Sequence, residues 1–169
     1  VADQWIAAGS NVTITATPSL HYHFTAWSGD TNGCSVVGNV VTAAMSRARA
    51  ITANFAVDQH TLTVVSAWNG QSPGTTVTNW NSALSCYLTN SPVTGVGTQY
   101  VAAGGAAVSN TFTQVNATNV TLTLTNNATL TWAWSTNYWL STATNGPGSV
   151  SVADQWIAAG SNVTITATP

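Results

Sequence analysis

The eighteen residues VADQWIAAGSNVTITATP occur twice in this chain, at 1–18 and at 152–169, with identity at every position. One explanation is a complete subunit whose two ends match. The other is a window cut from a polymer of tandem repeats, slightly longer than one period. Self-similarity at a fixed spacing is typical of repeat arrays, and chance identity over eighteen mixed residues is negligible. The sequence therefore predicts a 151-residue period, with neighbouring copies of the same repeat as partners. Both duplicates are then expected to have the same local conformation, because they stand in the same repeat context.

Alternation of apolar and polar residues dominates the chain. In NVTLTLT (119–125), Val and Leu point to one side and Thr to the other, as in a half-buried antiparallel strand. Similar strands are separated by turn clusters such as NGQSPG (69–74) and TNGPG (144–148). We find no convincing helical stretch. The predicted fold class is all-β, built from tandem small antiparallel β-sandwich-like modules, and β-grasp-like modules are the alternative.

A weaker internal repeat has an offset of 79 residues. It aligns Met45 with Leu124 and Phe55 with Trp134, with Ile51 on Leu130 and Ala53 on Trp132 between them. One skipped residue then brings HTLTV (60–64) onto YWLST (138–142). We therefore predict two modules per 151-residue period. Residues 1–57 are the C-terminal part of one module, 58–136 a second, complete module, and 137–169 the N-terminal part of the next; neighbouring copies complete the split module.

Charge is scarce in this sequence. Only 4% of residues are charged, against about 25% in an average soluble protein, and there is no Lys or Glu. With a net charge of −2, the chain lacks the clustered Lys and Arg residues of a nucleic-acid-binding protein. No apolar run is long enough to span a bilayer. An uncharged surface rich in Thr and Asn favours self-association and an extracellular or cell-surface location.

The sequence predicts no enzyme, no metal and no organic cofactor. There is no G-x-S-x-G nucleophile motif, and Asp3 and Asp154 are one repeat position counted twice. Asp30 and Asn32 suggest a Ca²⁺ loop, but one carboxylate is few for this ion and a tight turn at Gly29 is favoured. His21, His23 and His60, with Cys34, would make a zinc site only if the fold gathered them; exposed strand histidines are favoured.

The aromatic residues divide by position. In ATLTWAW (128–134), Leu130, Trp132 and Trp134 share a face and are predicted core residues. Trp5 and Trp156 are equivalent and are expected at a module junction. Trp68 and Trp80 border turns, so they are the candidates for an exposed aromatic surface that binds carbohydrate or a partner.

The two cysteines, Cys34 and Cys86, are an even number in a chain expected outside the cell. This favours an intrachain disulfide between the two modules. Disulfides to neighbouring chains, or two buried free thiols, remain open.

The stretch from Asn11 to Phe55 combines a V-x-I-x-A-x-P strand, a Y-x-F-x-x-W-S-G block, a Met strand and a closing A-N-F. This pattern resembles the divergent internalin-type B-repeat of large bacterial surface proteins. The matching residues are Val12, Ile14, Ala16, Pro18, Tyr22, Phe24, Trp27, Ser28, Gly29, Met45, Ala53, Asn54 and Phe55. The resemblance implies tandem β modules in a secreted or surface-anchored protein and carries over no catalytic residue. We therefore expect a structural repeat unit of a fibre, sheath or adhesin stalk, with a carbohydrate- or partner-binding surface module as the alternative.

Overall fold

The computed structural model describes residues 3–68 and 70–169, and every regular element in these ranges is a β-strand. The chain divides into two compact units, Val1–Gln59 (unit 1) and His60–Pro169 (unit 2). The all-β prediction is confirmed. Residues 137–169 lie within unit 2, and the number of modules per 151 residues stays a prediction.

Unit 1 has two separate antiparallel sheets. The first has the strand order β1-β4-β3, and the second pairs β2 with β5. Few of its apolar side chains are fully buried: only Ala16, Val41 and Ala43 are, among the described residues. The strands are β1 (Asn11–Thr15), β2 (Tyr22–Gly29), β3 (Ser35–Val37), β4 (Val40–Ala44) and β5 (Ile51–Val57).

Unit 2 is a β-sandwich, since buried side chains of its two larger sheets form one cluster. Its strands are β6 (Gln59–Val65, which starts at the unit boundary), β7 (Gln71–Ser72), β8 (Thr76–Asn79), β9 (Ser82–Leu88), β10 (Val93–Thr94), β11 (Thr98–Val108), β12 (Phe112–Asn116), β13 (Asn119–Leu124), β14 (Ala128–Leu140), β15 (Ser149–Val150), β16 (Gln155–Ala158) and β17 (Ala167–Thr168). One sheet has the order β10-β11-β14-β6-β8, with β16 also on β14, and the other has the order β12-β13-β9-β7. A separate pair joins β15 to β17.

The core of unit 2 is formed by side chains of both sheets. In β13 the alternation is complete, with Val120, Leu122 and Leu124 buried and the intervening Thr residues exposed. Leu130 and Trp132 are buried on β14, and Trp134 packs against the same cluster, so the prediction for these three residues is confirmed. The β6–β14 pairing is parallel, which buries Leu62 and Val64 beside them.

The two units share one strand arrangement. Strands β1 to β5 of unit 1 correspond in order to β9, β11, β12, β13 and β14 of unit 2, because each pairing in unit 1 has its counterpart. The backbone N–H of Gly9 donates to the Met45 carbonyl at 2.9 Å, and that of Asn81 donates to the Leu124 carbonyl at 2.7 Å. Met45 and Leu124 are thus structural equivalents, as the 79-residue offset predicts.

A β-bulge lies at the same point of both units, at Thr25 in β2 and at Ala103 in β11. Two residues beyond the bulge, each unit has a cross-strand pair with one tryptophan, but the tryptophan lies on the bulged strand in unit 1 and on its partner in unit 2. Trp27 pairs with Ala53 in unit 1, whereas Gly105 pairs with Trp132 in unit 2. The exchange keeps the pair's combined volume similar, which is the kind of change that a packed core tolerates best.

Gly105 is tightly surrounded by core side chains. A Cβ there would lie 3.0 Å from both Leu130 Cδ1 and Val120 Cγ2. We expect Gly105→Ala to lower the free energy of unfolding of unit 2 by about 1–3 kcal/mol, because overpacking displaces core side chains. Urea unfolding measures the change.

Gly74→Ala is the matched control, because nothing lies within 4 Å of a Cβ at Gly74. It should change the unfolding free energy by no more than about 0.5 kcal/mol. Equal effects of the two substitutions would show that Gly105 is not sterically constrained.

Candidate functional site

The duplicated sequence pairs differently at its two positions. We call 1–18 the N-terminal duplicate and 152–169 the C-terminal duplicate. In the first, Asn11–Thr15 forms β1 on β4, and residues 4–7 form no strand. In the second, Gln155–Ala158 forms β16 on β14, and residues 162–166 form no strand.

The prediction of identical conformations is therefore wrong for these two segments. The physical reason is the supply of partner strands, because a strand forms where its backbone N–H and C=O groups find partners. Unit 1 offers β4 to the second half of the sequence, and unit 2 offers the end of β14 to the first half. Each duplicate makes the pairing that the other lacks.

Unit 1 contains an open cleft of about 690 Å³ beside β5. The inward side chains of β1, Val12 and Ile14, line it together with Ile51 and Ala53 of β5. Ile6 of the N-terminal duplicate also borders it. Apolar residues from both sheets of unit 1 therefore face a space that no described residue of this unit fills.

In unit 2 the end of β14 and β16 form an antiparallel pair with an aromatic surface. Trp139 lies directly opposite Trp156, with ring centroids 5.2 Å apart and planes at 66°. Tyr138 and Trp139 are 54% and 44% exposed. In the N-terminal duplicate, the equivalent Trp5 is fully exposed. The Trp139–Trp156 contact was not predicted from the sequence, because no local pattern links these two residues.

Asp154 fixes the connection between these two strands. Its carboxylate accepts hydrogen bonds from the Thr142 backbone N–H at 2.6 Å and from the Ser141 hydroxyl at 2.9 Å. The Thr142 N–H, followed by the Ser141 hydroxyl, holds the pKa of Asp154 below its ordinary value, because both stabilise the ionised form.

The lowered pKa makes the β14–β16 connection sensitive to acid. The contribution of Asp154 to stability is fully present above the unfolded pKa of about 3.9 and is lost as the pH falls through the lower folded pKa. An NMR titration of the Asp154 carboxyl carbon should have its midpoint below that of the free 18-residue peptide of the same sequence. Coincident midpoints would contradict these hydrogen bonds.

The SGDTNG loop (28–33) is closed by side chains of unit 1. Asp30 Oδ2 accepts from the Ala50 backbone N–H at 3.0 Å, and Gly29 has a φ of +85°. A Cβ at Gly29 would lie 2.3 Å from the Ala50 carbonyl oxygen, so the position requires glycine. Asp30 thus binds the backbone of the residue just before β5, and the turn at Gly29 has the geometry that the sequence favours.

Arg49 occupies the place where the sequence suggested a cation. Its Nη1 donates to the carbonyls of Asp30 at 3.0 Å and Asn32 at 2.8 Å. Its Nε donates to the Ala44 carbonyl at 3.2 Å. The guanidinium therefore satisfies two carbonyls of this loop and one at the end of β4.

We expect Arg49→Met to destabilise unit 1 by about 2–3 kcal/mol, because three hydrogen bonds from a charged donor are lost. Arg49→Lys should not restore stability, since one ammonium cannot reproduce the planar fork. Thermal unfolding of unit 1, followed through the signal of Trp27, measures the stability of both variants.

Arg47→Met is the control. Arg47 Nη2 makes only an exposed 3.6 Å ion pair with Asp30 Oδ1, and such pairs contribute about 0–1 kcal/mol. A loss at Arg47 as large as that at Arg49 would contradict the role given to Arg49.

The histidines do not converge. His23 Nδ1 lies 2.9 Å from Asp58 Oδ1 in an exposed pair, and His21 has a φ of +65° in the turn before β2. His60 lies in β6. Within 3–68 and 70–169, no three His, Cys, Asp or Glu residues are close enough to hold a metal ion.

The two tryptophans predicted as a binding surface are half-buried. Trp68 stacks on Tyr100, with centroids 4.2 Å apart and planes at 30°, so one face of its indole is covered. Trp80 lies in the turn between β8 and β9. A binding role for Trp68 and Trp80 stays a prediction.

Both cysteines are free thiols in the structure. The Cys34 thiol lies 3.8 Å from the Asp30 carbonyl, and Cys86 is fully buried in the core of unit 2. Burial raises the pKa of the Cys86 thiol. The Cys34–Cys86 disulfide stays a prediction; oxidising Cys86 would require it to leave a packed core.

The B-repeat-like motif has a structural role in unit 1. Phe24 contacts Trp27 and Phe55, with ring centroids 5.4 and 6.1 Å away. The Asn54 side-chain amide donates to the Ala26 carbonyl at 3.1 Å and to Ser28 Oγ at 2.9 Å. The motif therefore fixes the bulged β2–β5 pair.

Residues 2–59 match the family model of the Divergent InlB B-repeat domain. The resemblance inferred from the sequence is thus confirmed, and the matched residues coincide with unit 1 almost from end to end. Neither the curated proteins nor the solved structures give a significant match.

Proposed function

We propose that this chain is a structural repeat unit of a long extracellular bacterial polypeptide that forms a fibre, sheath or adhesin stalk. The match of residues 2–59 to a repeat family of bacterial surface proteins carries the proposal. The duplication of eighteen residues at a spacing of 151 supports it. The proposal assigns the chain no catalytic activity.

The edges of the sheets support lateral association of such a polypeptide. β3 and β12 are edge strands of their sheets, and all their residues are exposed. Neither strand contains a charged residue or a proline, the usual protections of a strand edge against pairing with another chain. Val37 is 74% exposed and Val115 is 55% exposed, so the edges are also partly apolar.

The solvent-facing composition supports the same role. Thr residues fill the exposed positions of β13, where a charged residue would keep neighbouring molecules apart by repulsion. No helix in the described part of the chain is long and apolar enough to cross a membrane.

The mass and location of the native polypeptide test this proposal. Antibodies against the 169-residue chain should label the surface of intact source cells. They should also detect a denatured polypeptide several times longer than this chain. A cytosolic signal, or a product of about 169 residues, would overturn the proposal.

A further inference from the structure

Unit 2 shows how the cleft of unit 1 can be filled. In unit 2, β6 pairs in parallel with the first residues of β14, from Leu62 opposite Ala128 to Val65 opposite Thr131. This strand places Leu62 (0% exposed) and Val64 (7%) in the core. In unit 1, β5 is the equivalent of β14, but its only strand partner among the described residues is β2.

The other neighbour of β6 also has an equivalent in unit 1. In unit 2, β8 pairs with β6 and ends two residues before Asn81. Gly9 is the equivalent of Asn81, since both donate to equivalent carbonyls, so Gln4–Ala7 is the equivalent of β8. Gln4–Ala7 forms no strand in unit 1. In unit 2, β6 lies between β14 and β8. Among the described residues of unit 1, no strand lies between their equivalents, β5 and Gln4–Ala7.

The C-terminal duplicate identifies the missing strand. Gln155–Ala158 has the same sequence as Gln4–Ala7, and there it is a strand, paired with residues 137–140 of β14. The alignment of HTLTV with YWLST puts Leu140 at the position of the buried Leu62. The segment NYWLSTA (137–143) carries no charge, so placing it against Ile51 and Ala53 buries no unpaired ion.

We propose that residues 137–143 of one copy of this chain join unit 1 of the following copy at its cleft, with residues 140–143 beside β5, because Asn137 and Tyr138 already pair with β11 on that side. The strand runs parallel to β5 and antiparallel to Gln4–Ala7, and it places Leu140 against Ile51 and Ala53. This inference rests on the proposed tandem array, in which residues 152–169 of one copy are residues 1–18 of the next. Trp139 and Trp156 then lie on the outer face of the completed sheet, because they alternate with the inserted Leu140.

A chain extended by residues 19–59 after Pro169 tests the proposal. It contains two versions of unit 1 in one molecule: the original, without residues 137–143 before it, and the added one, preceded by them. We expect backbone amides of β5 in the added version to exchange at least about 100-fold more slowly than those of the original. Segmental isotope labelling distinguishes the two versions by NMR.

Leu140→Ala in the extended chain should reduce this difference at least about tenfold, because the cleft loses the side chain that fills it. Val96→Ala is the matched control, since Val96 is fully exposed, and it should leave the difference unchanged. Equal exchange in the two versions, an added version that stays unfolded, or a difference insensitive to Leu140→Ala would overturn the proposal. Cell-surface labelling tests the proposed function separately. Failure of the strand insertion can therefore be distinguished from failure of the proposed function.

Discussion

Backbone pairing beside β5 and β14 is the constraint on which the rest of this molecule depends. In unit 2, β14 has a partner on each side, and eleven residues form a continuous buried cluster next to it. Among the described residues of unit 1, the equivalent strand pairs with β2 alone, and few apolar side chains are fully buried. Two of these eleven residues, Leu62 and Val64, belong to β6, which has no counterpart among the described residues of unit 1.

The same constraint explains why one sequence has two conformations. Thr, Val and Ile in NVTIT favour an extended backbone, but an isolated strand gains too little to stay ordered without a neighbour. Val12 and Ile14 lie in β1, which pairs with β4, whereas their counterparts Val163 and Ile165 lie in a segment that forms no strand. Local propensity is therefore necessary for these strands, and a partner decides whether they form.

Part of this fold could be predicted from sequence because alternation and internal similarity are local signals. The Val-Thr-Leu-Thr-Leu pattern identified β13, and the offset that aligns Met45 with Leu124 placed equivalent positions correctly. Other features depend on long-range contacts. β2 and β11 are equivalent, but β2 has Trp27 where β11 has Gly105, so their sequences do not look alike. The parallel pairing of β6 with β14 leaves no periodic signal in the sequence.

The candidate site likewise has features that could be predicted from the sequence and features that could not. The glycine at position 29 was predictable from turn chemistry, but the closure of its loop by Arg49 was not, because the acceptors are backbone carbonyls. The expectation of one conformation for both duplicates failed because it took identical sequence to imply identical partners. The cleft could not be predicted from local sequence either, since it lies beside β5 where the described residues of unit 1 supply no strand equivalent to β6.

Residue-specific amide exchange of the two duplicates in the 169-residue chain tests the account most directly. Segmental labelling of residues 137–169 separates their otherwise identical signals. We expect protection of the backbone amides at 155–158 but not at 4–7, and at 11–15 but not at 163–165. The same protection pattern in both duplicates would show that the sequence, and not the partner strand, determines their conformation, and would contradict the account.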